Sequence, residues 1–138
     1  MPFMHSLNNL IIEFYDKLSS WEQSVVKDTG YSLAQVHTIE VLGSHGPMRM
    51  KELADRLAIT TGTLTVQVEK LVKFGLIIRS PHEDDRRSIL VGLTTEGIEL
   101  HTYHNRMHIQ LTEDITRNLD ESSIEVLTEC FEKMNREF

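Results

Sequence analysis

Apolar side chains recur at spacings of three and four through residues 3–27, at Leu7, Leu10, Ile11, Phe14, Leu18, Trp21 and Val25. That is the period of a helix with one apolar face. "TGYS" at 29–32 ends the stripe. Gly30 stops the first helix and Ser32 caps a second, which runs from about Leu33 to Leu42 with Val36 and Ile39 inward. "GSHGP" at 43–47 is a run of turn residues and predicts a loop. "RMKELADRLAI" at 49–59 predicts a short helix burying Leu53, Ala54 and Leu57. "TT" at 60–61 turns the chain into a further helix, "GTLTVQVEKLVKFG" at 62–75, closed by Gly75. The period then changes. "LIIRS" and "SILVGLT" are β-rich runs separated by the polar "PHEDDRR", the pattern of a two-stranded hairpin with a charged tip. "TTEG" at 94–97 opens a long helix reaching about Asn118, with Thr94 or Thr95 as cap, and "LDESS" at 119–123 caps a last helix. The order is four helices, two strands and two helices, a mainly α (α+β) fold in one domain of 138 residues. Residues 32–97 form its central lobe, with the hairpin at 76–93, and residues 1–30 and 98–138 are its helical flanks.

A chain of this length buries a core without disulfides or a structural metal. The one cysteine, Cys130, excludes an internal disulfide and any cysteine-based zinc cluster. It lies in an apolar stretch and is expected to be a small buried side chain. No apolar run approaches the roughly 20 residues of a membrane span, and no signal peptide opens the chain, so no membrane is expected as partner and a cytoplasmic location is the default. The formal net charge of −7 argues against nucleic acid at first sight. Its distribution changes that picture. Residues 49–87 hold eight basic and six acidic side chains, whereas the rest hold six basic and fifteen acidic. The centre is mildly positive between strongly acidic ends.

Two short helices joined by a tight turn and followed by a charged hairpin make a winged helix-turn-helix. A helix fits the major groove, its N-terminal amides favour phosphate, and an arginine on a hairpin tip enters the minor groove. The second helix opens with Thr61, Gly62, Thr63 and Thr65, small residues that let the backbone approach a duplex and can donate to phosphates or base edges. The same threonines also suit a second reading, as helix caps on a solvated face.

The stretch "MKELADRLAITTGTLTVQVEKLVKFGLIIRSPHEDDRRSILVGLTTEG" resembles the centre of the MarR family of bacterial transcriptional regulators. The likeness rests on "ELADRLAITTGTLT", on "KLVKFGLI" with its helix-ending glycine, and above all on "DRRSILVGLTTEG", which holds the family's Asp-x-Arg pair as Asp85 and Arg87. It covers roughly residues 33–100. The resemblance implies a homodimer built by the first and last helices, whose two recognition helices meet a pseudo-palindromic site about 34 Å apart. The apolar stripes at 7–25 and at Leu119, Ile124, Leu127, Phe131 and Met134 are what such an interface needs. By the same resemblance Arg87 enters the minor groove with Asp85 holding it, and Arg86 and Lys73 face phosphates. Family members often place a basic residue where Val66 stands, whereas here no positive charge precedes Lys70 on the recognition helix. Thr63, Thr65 and Gln67 therefore become the expected edge readers, with Gln67 equally able to face away from the duplex.

"HTYHNRMH" at 101–108 remains. His104 and His108, at i and i+4, form the pair a helix uses to hold a metal. His37 sits in the second helix between Val36 and Ile39, where a buried imidazole needs a partner or ligand. This arrangement is similar to the zinc-responsive, AdcR-type branch of the family, repressors of zinc-uptake genes. The similarity implies one Zn²⁺ site per chain on Glu22, His37, His104 and His108, with affinity for double-stranded DNA set by the metal. That branch's second site is not reproduced, since Val36 and Tyr103 stand at its acidic positions and Asp28 is the nearest residue to its cysteine. His101 is expected as a supporting or surface residue. The alternative is a pocket for a small phenolic or aromatic acid that releases DNA, with the histidines as ordinary polar residues around it. No glutamate stands between His104 and His108 as in H-E-x-x-H, and no nucleophile elbow or glycine-rich phosphate loop occurs, so no enzymatic activity is expected.

Overall fold

The structure, a computed structural model, describes residues 1–81, 84 and 88–138. Helix α1 (Pro2–Thr29) closes on Gly30, which takes the left-handed conformation. Ser32 then caps α2 (Leu33–His45) with a reciprocal box. Its hydroxyl accepts from the Gln35 backbone N–H at 3.1 Å, and the Gln35 side-chain oxygen accepts from the Ser32 N–H at 2.9 Å. Helix α2 continues three residues past its expected end at Leu42. The cap is Gly46, whose N–H donates to Leu42 O, and Gly43 lies inside the helix rather than in a loop.

A two-residue strand β1 (Met48–Arg49), too short to show a sequence period, precedes α3 (Met50–Leu57). Ala58 turns the chain in the left-handed region, and the Thr60 hydroxyl caps α4 (Thr61–Lys73) by accepting from Thr63 N. Strands β2 (Ile77–Pro81) and β3 (Ile89–Leu93) pair antiparallel, in a register from Ile77 opposite Leu93 to Pro81 opposite Ile89. With β1 on the other edge the sheet order is β1-β3-β2. Ile39, Leu53, Leu64, Val68, Leu71, Ile77 and Val91 are buried at its centre and hold α2, α3, α4 and the sheet together as one lobe.

Helix α5 (Thr95–Ile115) starts hard against this lobe. The Thr94 hydroxyl accepts from Gly97 N at 3.1 Å while donating to Gly75 O at 2.5 Å, so the helix cap is tied to the end of α4. A Cβ on Gly97 would collide with the Leu76 carbonyl. Helix α6 (Glu121–Asn135) is capped by Asp120, whose carboxylate accepts from Ser123 N at 2.9 Å. The two hydrogen bonds from Ser123 hold that carboxyl below the usual aspartate range.

The chain divides into two units, residues 1–104 and 105–138. In the first, the α1 side chains Leu7, Leu10, Ile11 and Phe14 are exposed. In the second, no described residue of α6 is buried, and Leu127, Phe131 and Met134 stand exposed. Cys130, expected in a core, is exposed on α6 with them. Among the described residues no helix is long and apolar enough to cross a membrane.

Gly97→Ala should destabilise the protein by about 2 kcal/mol, as overpacking against a rigid backbone carbonyl does. The measurement is the urea midpoint at unchanged slope. Gly62→Ala, with open space around the added carbon, serves as the control whose midpoint does not fall.

Candidate DNA-reading surface and candidate metal site

Helix α4 buries Leu64, Val68 and Leu71 against the lobe. The opposite ridge, spaced by four, three and four, is Gly62, Val66, Glu69 and Lys73. Thr61, Gly62, Thr63, Thr65, Lys70 and Lys73 are all exposed on this helix, as the sequence places them. Gln67 departs from its expected role as an edge reader. Its side-chain amide donates to Ala34 O at 2.9 Å and to the Thr38 hydroxyl, both on α2. The buried Thr38 hydroxyl gives its own proton to Ala34 O at 2.9 Å and so has a lone pair left to accept. Gln67 lies at the border between the two faces of α4, one residue before buried Val68, and its amide ties α4 to α2. The remaining expected DNA contacts, Asp85, Arg86 and Arg87, lie outside the described residues.

A second cluster lies where α1 meets α5. His104 is buried, and its Nε2 stands 2.6 Å from Glu22 Oε1 on α1. Helix α5 runs unbroken through His108, so the i, i+4 step is a property of the helix itself. One ligand atom each from Glu22, His104 and His108 lie within 4.8 Å of one another. Tetrahedral zinc, with bonds of about 2.0–2.2 Å, holds its ligand atoms about 3.3 Å apart. The one pair with a defined separation, His104 Nε2 and Glu22 Oε1 at 2.6 Å, is closer than that. Two imidazoles and one carboxylate also form a three-ligand set that leaves a fourth position open. His37 does not join them. It is exposed on α2, because the helix turns about 100° per residue and the inward arc is taken by Val36, Thr38 and Ile39.

His101 has a role that its sequence position did not reveal. Its ring occupies the space a Cβ on Gly43 would need, and its Nδ1 lies 3.2 Å from Glu40 Oε2. The half-buried pair joins α5 to α2. The signal was present in Gly43, a glycine mid-helix, but a glycine between turn-forming residues reads as a loop.

Residues 31–89 match the MarR family. The uncharacterized HTH-type transcriptional regulator YkoM of Bacillus subtilis (strain 168) is 29% identical over 73 residues, 53% of this chain and 47% of that protein. The chain thus spans about half the length of that relative. Streptococcus pneumoniae FabT, in a crystal structure in complex with DNA, superposes with a TM-score of 0.84 at 24% identity over 96% of this chain and 95% of that one. The reduced form of MarR from E. coli gives 0.73 at 26% identity, over 93% and 95%. The helices and small antiparallel sheet are those of the winged-helix, MarR-type fold. The family and these relatives are transcriptional regulators rather than enzymes.

Gly43→Ala should lower the thermal midpoint, since the new methyl and the His101 ring compete for one volume. His101→Ala in the same chain should restore part of the loss. A double-mutant cycle measures the pair, and strictly additive effects would show that the ring and residue 43 do not touch.

Proposed function

We propose that this chain, whose residues 31–89 match the MarR family, is a homodimeric, DNA-binding transcriptional repressor of the zinc-responsive, AdcR-type branch. The DNA-reading part is supported by the exposed ridge of α4 on a winged-helix lobe, with Lys70 and Lys73 at its end and Arg86 and Arg87 in the segment between β2 and β3. The observation that carries the metal response is the buried His104 facing Glu22, with His108 one turn on.

Glu22 and His104 come from helices far apart in sequence, so what they hold fixes α1 against α5. Glu22, His104 and His108 would hold zinc there, and the metal would supply a divalent cross-link between those two helices. Glu22 contributes the one negative charge, and His104, sealed from solvent, gives the site its rigid member. A metal that binds one helix arrangement better than another shifts the protein toward it by the ratio of the two affinities. If that arrangement sets two reading helices at the spacing of a duplex turn, affinity for DNA rises with zinc.

Dimerisation is supported by the apolar stripes that α1 and α6 leave in water. Stripes of this extent mark interaction surfaces. Covering one such side chain stabilises by about 1.5–3 kcal/mol, which a second copy supplies.

Protein purified without a histidine tag should carry one zinc per chain by elemental analysis. Its affinity for a selected duplex should fall at least about ten-fold in chelator, a coupling of typical size. His104→Ala should lose both the metal and the response. Equal affinity with and without chelator would refute the metal reading and turn attention to a small aromatic acid as effector. Phe131→Glu should convert dimer to monomer in analytical ultracentrifugation; a dimer that persists would move the interface off the α6 stripe.

A further inference from the structure

Several polar groups at the start of α4 are already engaged within the chain. The Thr60 hydroxyl accepts from Thr63 N and donates to the Thr63 hydroxyl at 2.9 Å. Thr65 donates its hydroxyl proton to Thr61 O at 2.8 Å, along its own helix. The Gln67 amide is drawn inward to Ala34 O and Thr38. Donors engaged in this way leave the threonine methyl groups as much of what the face offers. At the centre of the ridge stands Val66, 55% exposed, one turn beyond Gly62, whose missing side chain opens the approach.

Among the described residues nothing covers this valine. It packs into no core, and a β-branched residue is a poorer helix former than the alanine, lysine or glutamine that a solvated position tolerates. A position directly opposite the buried Leu64, Val68 and Leu71 gains nothing from being apolar unless something covers it. In the major groove one base alone, thymine, presents a methyl group, on C5. An isopropyl group seated on it removes apolar surface of both partners from water. Guanine, by contrast, is read by a bidentate arginine or lysine, and the outward ridge has no cation before Lys70.

We infer that α4 reads thymine through its C5 methyl group, with Val66 as the specificity-determining residue and the methyl groups of Thr63 and Thr65 beside it. The inference rests on the reading of the chain as a DNA-binding regulator and adds what its recognition helix selects. Preferred sites carry thymine beneath Val66 in each half-site. Glu69, next along the ridge, is placed to accept from a cytosine amino group or to reject phosphate at the neighbouring step.

Uracil tests this directly, because it pairs as thymine does and lacks only the methyl group. The full chain is used to select duplexes from a random-sequence pool at fixed salt. The selected duplex is then compared, by fluorescence anisotropy, with copies carrying uracil at single thymine positions. At the position beneath Val66, uracil should weaken binding about four-fold, the worth of one buried methyl group. Val66→Ala should bring the thymine-to-uracil ratio there close to one, and Val66→Thr, which keeps a methyl branch, should retain a preference. Circular dichroism verifies that both exposed-site variants fold. Sequence selection with equal affinity for thymine and uracil at every position would overturn the methyl readout while leaving DNA binding intact. Failure to enrich any duplex would overturn the DNA-binding reading itself, and this inference with it.

Discussion

The close approach of the N-terminal half of α5 to the winged lobe is the constraint on which the rest depends, and two glycines on opposite sides of the contact make it possible. Gly97 brings the first turn of α5 against the Leu76 carbonyl, and Gly43 opens α2 to the His101 ring. The Thr94 hydroxyl pins the same turn to Gly75. With its first turn and its His101 level both fixed, α5 has no freedom to rotate. The face that then meets α1 carries His104, and Glu22 answers it. Burial of an imidazole is costly without a polar partner. The Glu22 carboxylate lowers that cost, so the contact stabilises the meeting of α1 and α5.

Helix α2 is the element through which the two candidate sites share a framework. One side takes Gln67 of α4 on Ala34 and Thr38, and another takes His101 of α5 beside Glu40. Packed interiors do not deform continuously, so a change in how α5 sits is passed to α2 as a discrete shift or not at all. The Gln67 tether means that α4 follows α2. Helix α4, bound so directly to its neighbour, belongs to one lobe with it.

Much of this was legible in the sequence, and the parts that were not share a cause. The Ser32–Gln35 capping box, the Thr60 cap, the switch from period 3.6 to period 2 after Gly75, and the Thr94 cap are local signals, each confined to a few consecutive residues. Glu22 and His104 were legible only with the family resemblance beside them, because nothing local joins residues 82 positions apart. Gly43, His37 and Gln67 failed in another way. Each lies at the edge of a helical face, where one residue step of about 100° decides between core and solvent and apolar neighbours do not fix the answer. Cys130 failed because periodicity reports that a face wants cover without saying which chain supplies it.

Charge and valence complete the physical picture. A chain of net charge −7 gains little from non-specific attraction to phosphate, and its basic side chains are concentrated between residues 49 and 87. On the proposed reading, a duplex is repelled by the acidic ends and attracted by the basic centre of the chain. A recognition helix that displays methyl groups rather than guanidinium groups adds specificity in small steps, about 0.8 kcal/mol for each buried methyl. One such helix discriminates weakly. Two of them held at a fixed spacing turn the second encounter into an intramolecular one, and their small preferences multiply as equilibrium constants. On the proposed reading, the apolar stripes on α1 and α6 serve sequence recognition alongside α4, since pairing two methyl-faced helices multiplies the small preference of each.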